Sequence, residues 1–215
     1  MTAKHVIIWR HGQTAYNLQG RIQGASDIPL DQTGLAQAQA AAEQLADWEP
    51  AAIWSSDLVR ARVTANALAV LANLEVVTDE RLREREFGSW EGLAVSKIHE
   101  RWPDLYERWR AGEDLPEIGM ETRDRAAQRV AACVGEAVAA APDGSTVVIT
   151  THGGAAVCGI TGLLELDPVK WLGIRGMRNA HWAVLEHGGR RVPGWRLAGY
   201  DLGGQASFQA TASLA

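Results

Sequence analysis

Val6-Ile7-Ile8-Trp9-Arg10-His11-Gly12-Gln13-Thr14 is an apolar run that changes abruptly into a charged loop broken by glycine. This pattern predicts a buried β-strand that ends beside Arg10. The stretch Val147-Val148-Ile149-Thr150-Thr151-His152-Gly153-Gly154 repeats the pattern and leads into an apolar, helix-like segment. Because open α/β sheets bind ligands where their strands end, His11 and His152 are predicted to lie at a ligand site. The guanidinium of Arg10 favours an anionic ligand, with phosphate as the best match.

The composition is that of one compact domain. The chain has 215 residues, of which 47% are hydrophobic, enough for a sizeable core. A net charge of −5 argues against a broad nucleic-acid surface. Cys133 and Cys158 lack the spacing of a disulfide framework or a metal site. Since the sequence also shows neither a signal peptide nor a membrane-spanning run, we expect a cytoplasmic protein that binds neither nucleic acid nor membrane.

Strand and helix patterns alternate along the chain and predict a three-layer α/β/α sandwich with a mostly parallel sheet. Strands are expected at 4–9, 51–55, 75–78, 146–150, 180–185 and 195–200. Helices are expected at about 33–48, 56–72, 94–101, 104–110, 121–140 and 154–164, with a short one opened by Asp167-Pro168. Thr33 and Ser56 are the expected N-caps, and Leu35, Ala38, Ala42 and Leu45 the expected buried stripe of the first helix.

The segments between these elements suggest how the single domain, 1–215, is organised. Residues 10–32 form a long polar loop, and loops of that length in compact domains are usually functional. Residues 93–120 are expected to form a small helical cap insertion, and residues 202–215 a loose tail.

Residue types suited to phosphoryl chemistry occur in four stretches. An imidazole beside a bound phosphate can act as a nucleophile, although for His11 taken alone a surface histidine at a strand end is the favoured interpretation. The glycines at 153 and 154 leave backbone N–H groups bare near a helix start, where anions are stabilised; an incidental glycine turn is the alternative. Arg60 lies in the first turn of a helix, where a solvated side chain is the commoner outcome. A carboxylate within 81–92 can serve as a general acid, or belong to a solvated charge run.

In their order along the chain, these stretches resemble the motifs of the histidine phosphatase superfamily, in the branch that holds the cofactor-dependent phosphoglycerate mutases. The matches are R-H-G-x-T-x-x-N at 10–17, S-D-L-x-R-A at 56–61, L-x-E-x-x-F-G-x-W-E-G at 82–92 and T-H-G-G at 151–154, within a resemblance that covers about 4–200. Gln13 replaces the more frequent glutamate, and Gly119-Met120-Glu121-Thr122 stands where many members have G-G-E-S. Glu121 keeps the carboxylate of that motif, and one interpretation is that this carboxylate supports the site without taking part in the chemistry.

The resemblance implies a two-step phosphoryl transfer through His11. Arg10, Arg60 and His152 would surround the phosphoryl group and neutralise its oxygens, and Glu84 would protonate the leaving alcohol and then assist water. Asn17 and Gln23 match positions that contact phosphate or substrate in the family, and Gly153 is expected to bind through its backbone. The resemblance implies no metal and no other cofactor. The expected partner is a small phosphorylated substrate, and a homodimer stays open.

Several alternatives remain at this point. Only about 28 residues separate Gly92 from Glu121, and the tail is nearly uncharged, which favours hydrolysis over a phosphoglycerate mutase. A catalytically inactive module that binds phosphorylated ligands conflicts with the retained motif residues. A metal-dependent phosphohydrolase should have histidines and acidic residues at the spacing of metal ligands, and the sequence shows no such spacing. Residues 176–182 and 195–197 resemble actinobacterial phosphatases of glucosyl-3-phosphoglycerate, although they could also merely fix a loop and pack the last two strands. A broad range of phosphate esters is the competing substrate class. The aromatic residues at 102, 106 and 109 either pack the core or form a wall that selects substrate.

Overall fold

Six strands form one sheet with helices packed on both faces in the computed structural model, which describes residues 3–189 and 191–203. The strands are β1 (His5–Arg10), β2 (Pro50–Ser55), β3 (Val76–Thr78), β4 (Thr146–Thr151), β5 (Trp182–His187) and β6 (Trp195–Leu202). The helices are α1 (Ala15–Leu18), α2 (Gln32–Ala46), α3 (Val59–Ala72), α4 (Val95–Arg101), α5 (Pro103–Arg110), α6 (Arg123–Ala140) and α7 (Gly153–Leu163). Short 3-10 turns occur at Glu80–Leu82, Gly88–Trp90 and Pro116–Ile118. Most of the predicted loose tail, 204–215, lies outside the described residues.

The strand order is β3-β2-β4-β1-β5-β6, and it confirms the predicted α/β fold with a mostly parallel sheet. The first four strands in that order run parallel, and β5 pairs antiparallel with both of its neighbours, β1 and β6. In the pairing of β1 with β4, Arg10 lies opposite Thr151. The next residue of each strand is a histidine, so His11 and His152 leave the sheet side by side at its carboxyl edge.

Burial on both faces explains why β1 and β4 are continuous apolar runs. Ile7 and Trp9 pack on one face of the sheet against α2 and α3, whereas Val6 and Ile8 pack on the other against α6 and α7. All four side chains are fully buried. The core therefore fixes the strand that carries the first histidine from both sides.

The two short helices predicted at 94–101 and 104–110 are confirmed as α4 and α5. They pack on an apolar cluster of their own, centred on Trp90, Ile98 and Leu115, apart from the two clusters that cover the sheet. Trp109 packs edge-on against Trp90, with ring centroids 5.8 Å apart.

Two predicted N-caps are wrong, because a neighbouring side chain reaches the free N–H groups first. α2 begins at Gln32 with Asp31 as its N-cap, since the Asp31 carboxylate accepts from the Gly34 N–H (2.8 Å), so Thr33 is not the cap. Ser56 does not cap α3. Leu58 occupies the N-cap position without a side-chain bond, and the carboxylate of Asp27 accepts from the Val59 N–H at 2.7 Å.

Other boundaries also differ from the sequence prediction. Leu35 is 49% exposed, because α2 turns Gly34 toward the loop after β1. The expected helix at Asp167-Pro168 is only a turn, although the Asp167 carboxylate accepts from the N–H groups of Val169 and Lys170. The loop at 10–32 contains the one-turn helix α1, which Thr14 and Asn17 close as a capping box.

Gly12 is expected to tolerate no side chain, because a Cβ there would overlap the backbone carbonyl of Gly34. Gly12→Ala should lower the free energy of unfolding by about 1–3 kcal/mol, the usual cost of overpacking. Gly135 is the matched control, since it is exposed within α6 and a Cβ there meets nothing within 4 Å. Gly135→Ala should raise stability by about 0.5–1 kcal/mol. Urea unfolding of both variants measures the two effects, and equal stabilities would contradict this packing.

Candidate active site

The imidazole of His11 is held in one tautomer. Its Nδ1 lies 2.7 Å from the Gly12 carbonyl oxygen, and a carbonyl can only accept, so Nδ1 carries the proton. The Nε2 lone pair is therefore available to attack an electrophile. Burial, reinforced by the guanidiniums of Arg60 and Arg10, holds the pKa of His11 well below its usual value. The ring is neutral at physiological pH, which is the state that a nucleophile requires.

His152 has the opposite tautomer. Arg60 donates its Nε–H to His152 Nδ1 (3.1 Å), so the proton of the neutral ring lies on Nε2. That Nε2 is buried and has no hydrogen-bond partner among the described residues. Burial and the charge of Arg60 keep the pKa of His152 well below its usual value. The two rings lie 5.1 Å apart at their centroids, so a lone pair on His11 stands beside an N–H donor on His152.

Two guanidiniums supply the positive charge of the site. Arg60 is fully buried, and it also donates to the carbonyl oxygens of Ser26 (2.6 Å) and Gly24 (2.9 Å) in the loop between β1 and α2. Burial lowers the pKa of Arg60 to about 10, so the group stays charged at neutral pH. Arg10 donates to the Met177 carbonyl, and its Nε is buried without a partner among the described residues. The solvated Arg60 that the sequence left open is therefore excluded.

Glu84 reaches the same edge of the sheet from the segment after β3. Its Oε2 accepts from the Gly154 N–H (2.9 Å), and its Oε1 accepts from the N–H groups of Ala155 (2.8 Å) and Arg85 (2.8 Å). The carboxylate thus sits on the N-terminus of α7, where the helix dipole favours negative charge. Three of its four lone pairs are occupied, and the remaining one on Oε2 is free to carry a proton.

The three residues expected to bind substrate lie around this centre. Asn17 and Gln23 line the same cavity as His11, and both hydrogen-bond Thr14. Gly153 lies against Arg10, as shown by the 3.3 Å that would separate a Cβ at position 153 from the guanidinium carbon.

Two adjoining cavities open at this edge. The smaller holds about 150 Å³, and the predicted residues on its walls are His11, Arg10, Arg60, Glu84, Asn17 and Gln23. The larger holds about 520 Å³ and is lined by Arg85, Arg110, Arg123, Leu172 and Ile174, among others. Arg10, Glu84, Phe87 and Trp109 lie between them and line both. Trp109 therefore packs against Trp90 and also lines both cavities, so core packing and a wall that selects substrate do not exclude each other for this residue.

Sequence reasoning missed residues that act through the backbone. Asn179 donates its Nδ2–H to the carbonyls of His11 (3.2 Å) and Gly12 (3.3 Å) and to Asn17 Oδ1 (3.1 Å). Together with the Met177 carbonyl, which accepts from Arg10, these contacts show that the stretch 176–182 supports the end of β1 and the loop after it. The contacts agree with the interpretation that 176–182 fix a loop, but an asparagine between strands carries no signal that singles out Asn179.

Within 3–189 and 191–203, no three His, Cys, Asp or Glu side chains are grouped so that they could hold a metal ion. Over the same residues, no helix is both long enough and apolar enough to cross a membrane.

The two buried histidines predict a pH-dependent stability. Below their usual pKa of 6.5, the unfolded chain binds protons that the folded chain excludes, so stability rises with pH and falls as the pH is lowered. Each ring adds up to about 1.4 kcal/mol per pH unit. Denaturant unfolding between about pH 7.5 and 5.5 measures this slope. His11→Gln should reduce it, whereas the exposed His99→Gln should not; equal slopes in all three proteins would contradict the assignment.

Comparison with known proteins agrees with this geometry. The family model of the histidine phosphatase superfamily (branch 1) matches residues 6–199. Glucosyl-3-phosphoglycerate phosphatase of Mycobacterium tuberculosis is 37% identical over 96% of this chain and 98% of its own. A metal-independent phosphoserine phosphatase of Arabidopsis thaliana is 38% identical over 69% of this chain and 64% of its own.

A solved structure of mycobacterial glucosyl-3-phosphoglycerate phosphatase with VO3 superposes with a TM-score of 0.84 at 36% identity, covering 93% of this chain and 99% of that one. Phosphoserine phosphatase from Entamoeba histolytica with phosphoserine gives a TM-score of 0.75 at 28% identity, over 92% and 96% of the two chains. The family model spans nearly the whole chain, and the sequence and structural matches agree with it. This protein belongs to the histidine phosphatase superfamily, branch 1.

Proposed function

We propose that this protein hydrolyses phosphate monoesters of small metabolites through a phosphohistidine on His11. The observation that supports this most strongly is the pair of complementary tautomers, with a free Nε2 lone pair on His11 beside the Nε2–H donor of His152. In the first step, His11 Nε2 bonds to phosphorus as the P–O ester bond breaks, and Glu84 gives its proton to the leaving alkoxide. In the second step, water attacks phosphorus, Glu84 takes a proton from that water, and His11 is released with inorganic phosphate.

The positive groups favour the transition state of both steps. Charge builds up on the phosphoryl oxygens, and fixed donors in a site of low dielectric stabilise it without reorganising. Arg10, Arg60 and His152 supply these donors, and two of them, Arg10 Nε and His152 Nε2, have no partner among the described residues. No step requires a metal ion.

We propose that the larger cavity receives the alcohol part of the ester, and that residues 93–120 act as a cap over it within a single domain. Arg85 and Arg123 share the carboxylate of Asp114, and Arg110 makes no ion pair in the described part of the chain. The cavity therefore carries excess positive charge, which favours an alcohol that is itself anionic. Glucosyl-3-phosphoglycerate, named for the mycobacterial relative, has a carboxylate and fits this requirement. We propose it as the substrate.

A panel of phosphate esters tests this proposal. Glucosyl-3-phosphoglycerate should have the highest kcat/KM, 3-phosphoglycerate and phosphoserine less, and uncharged sugar phosphates the least. Release of phosphate should persist in excess EDTA, and its loss would contradict metal-independent hydrolysis. An equal kcat/KM for charged and uncharged alcohols would overturn the assigned substrate class. Interconversion of 3- and 2-phosphoglycerate faster than their hydrolysis would instead identify a mutase.

A further inference from the structure

The segment that carries Glu84 is held by a partly buried ion pair that lines neither of the two cavities described above. Arg129 on α6 donates through Nη1 to the carbonyls of Arg81 and Arg83, each at 2.7 Å, and through Nη2 to the carbonyl of Glu84 at 3.3 Å. Its Nε and Nη2 also bond the two carboxylate oxygens of Glu121, both at 2.8 Å. One guanidinium thus bridges a carboxylate and three carbonyls of the segment before and at Glu84.

The remaining carbonyl of that segment is fixed as well. Leu82 is fully buried, and its carbonyl accepts from the Thr151 hydroxyl (2.7 Å), one residue before His152. The backbone before Glu84 is therefore tied to α6 on one side and to β4 on the other. The Glu84 side chain is bound to the N-terminus of α7. This leaves the segment little freedom to shift relative to the phosphoryl cavity.

We infer that Glu121 and Arg129 are positioning residues that aim the Glu84 carboxyl at the leaving oxygen. The Glu121 side chain is only 4% exposed, and its carboxylate gives Arg129 a fixed orientation. A guanidinium is suited to this role because its planar fork spans several acceptors at once, which the single nitrogen of lysine cannot do. The inference rests on the proposed function, since it assigns Glu84 the transfer of a proton to the leaving alkoxide.

Leaving-group dependence tests the inference, because kcat/KM reports the first phosphoryl transfer. An alkoxide such as that of 3-phosphoglycerate needs a proton to leave, whereas p-nitrophenolate leaves without one. Glu84→Gln should lower kcat/KM about 100-fold or more for 3-phosphoglycerate and far less for p-nitrophenyl phosphate. Arg129→Lys should show the same selectivity, with a loss of about 10- to 100-fold on the alkyl ester.

Arg125→Lys is the matched control. Arg125 also lies on α6 and faces Glu121, but at 3.9 Å and with 75% of its side chain exposed. It should leave both esters unchanged. Glu121→Gln should reproduce the selective loss of Arg129→Lys, and the double variant Glu84→Gln/Arg129→Lys should be no worse than Glu84→Gln alone.

The other outcomes contradict either the positioning role of Glu121 and Arg129 or the proton-donor role of Glu84. Equal losses on both esters in Arg129→Lys, no loss at all, or additive effects in the double variant would overturn the positioning role. Failure of both Arg129→Lys and Glu121→Gln to fold would also overturn it, because the pair would then hold the domain as a whole. If Glu84→Gln itself lacks selectivity for the alkyl ester, the proton-donor role in the proposed function fails instead.

Discussion

His11→Ala is expected to abolish turnover while leaving the fold intact. Phosphate release from p-nitrophenyl phosphate should fall by at least about 10⁴-fold, because the variant lacks the nitrogen that accepts the phosphoryl group in the proposed mechanism. The fold should survive because the core side chains of β1, Ile7 and Trp9 among them, are untouched. Steady-state assays measure the loss, and thermal unfolding verifies the fold.

The matched control is His187→Ala. His187 is exposed and lies at the end of β5 that pairs with the start of β1, at the opposite edge of the sheet from the site. This variant should keep wild-type rates. The wild-type protein quenched during turnover should also contain an acid-labile phosphate that is absent from His11→Ala. Retention of even a tenth of the wild-type rate by His11→Ala would refute the covalent intermediate.

The sequence was sufficient to predict the strands that build the site. The apolar runs of β1 and β4 are buried on both faces, and such runs stand out because no polar alternation interrupts them. The parallel register then brings Arg10 opposite Thr151 and the two histidines to one edge. The predicted loop after β1 also reaches the site, through Asn17 and Gln23.

What the sequence could not predict depends on contacts between distant segments. The local pattern made Arg60 a solvated cation at a helix start, and only the family resemblance placed it at the phosphoryl group. It is fully buried because three acceptors far from it in the chain surround it: His152 and the carbonyls of Ser26 and Gly24. The histidine tautomers depend on these same partners, so no local pattern encodes them. Leu35 is exposed for a related reason, since close packing of Gly34 on the loop after β1 sets the rotation of α2.

His152→Ala is expected to lower kcat by about 10²- to 10³-fold, the usual cost of removing one donor that stabilises a transition state. The Nε2–H of His152 is buried, and a buried donor without an acceptor costs free energy in the folded protein. Binding a phosphoryl group recovers that cost, most fully when its oxygens carry the greatest charge. The affinity for vanadate, which resembles that state, should therefore fall in parallel with kcat, whereas KM should change much less.

Thr150 provides the contrast that separates function from imperfect packing. Its hydroxyl is likewise fully buried and has no partner among the described residues. Thr150 lies within β4, however, whereas the ring of His152 follows the strand and stands 5.1 Å from the ring of His11. Thr150→Val keeps the shape and removes the unpaired group, so it should leave kcat unchanged and raise the free energy of unfolding by about 1 kcal/mol or more. Thr150→Val could instead lower kcat as much as His152→Ala does. The lack of a partner at His152 would then reflect only the packing around β4, and the assignment of His152 as a donor to the phosphoryl group would be wrong.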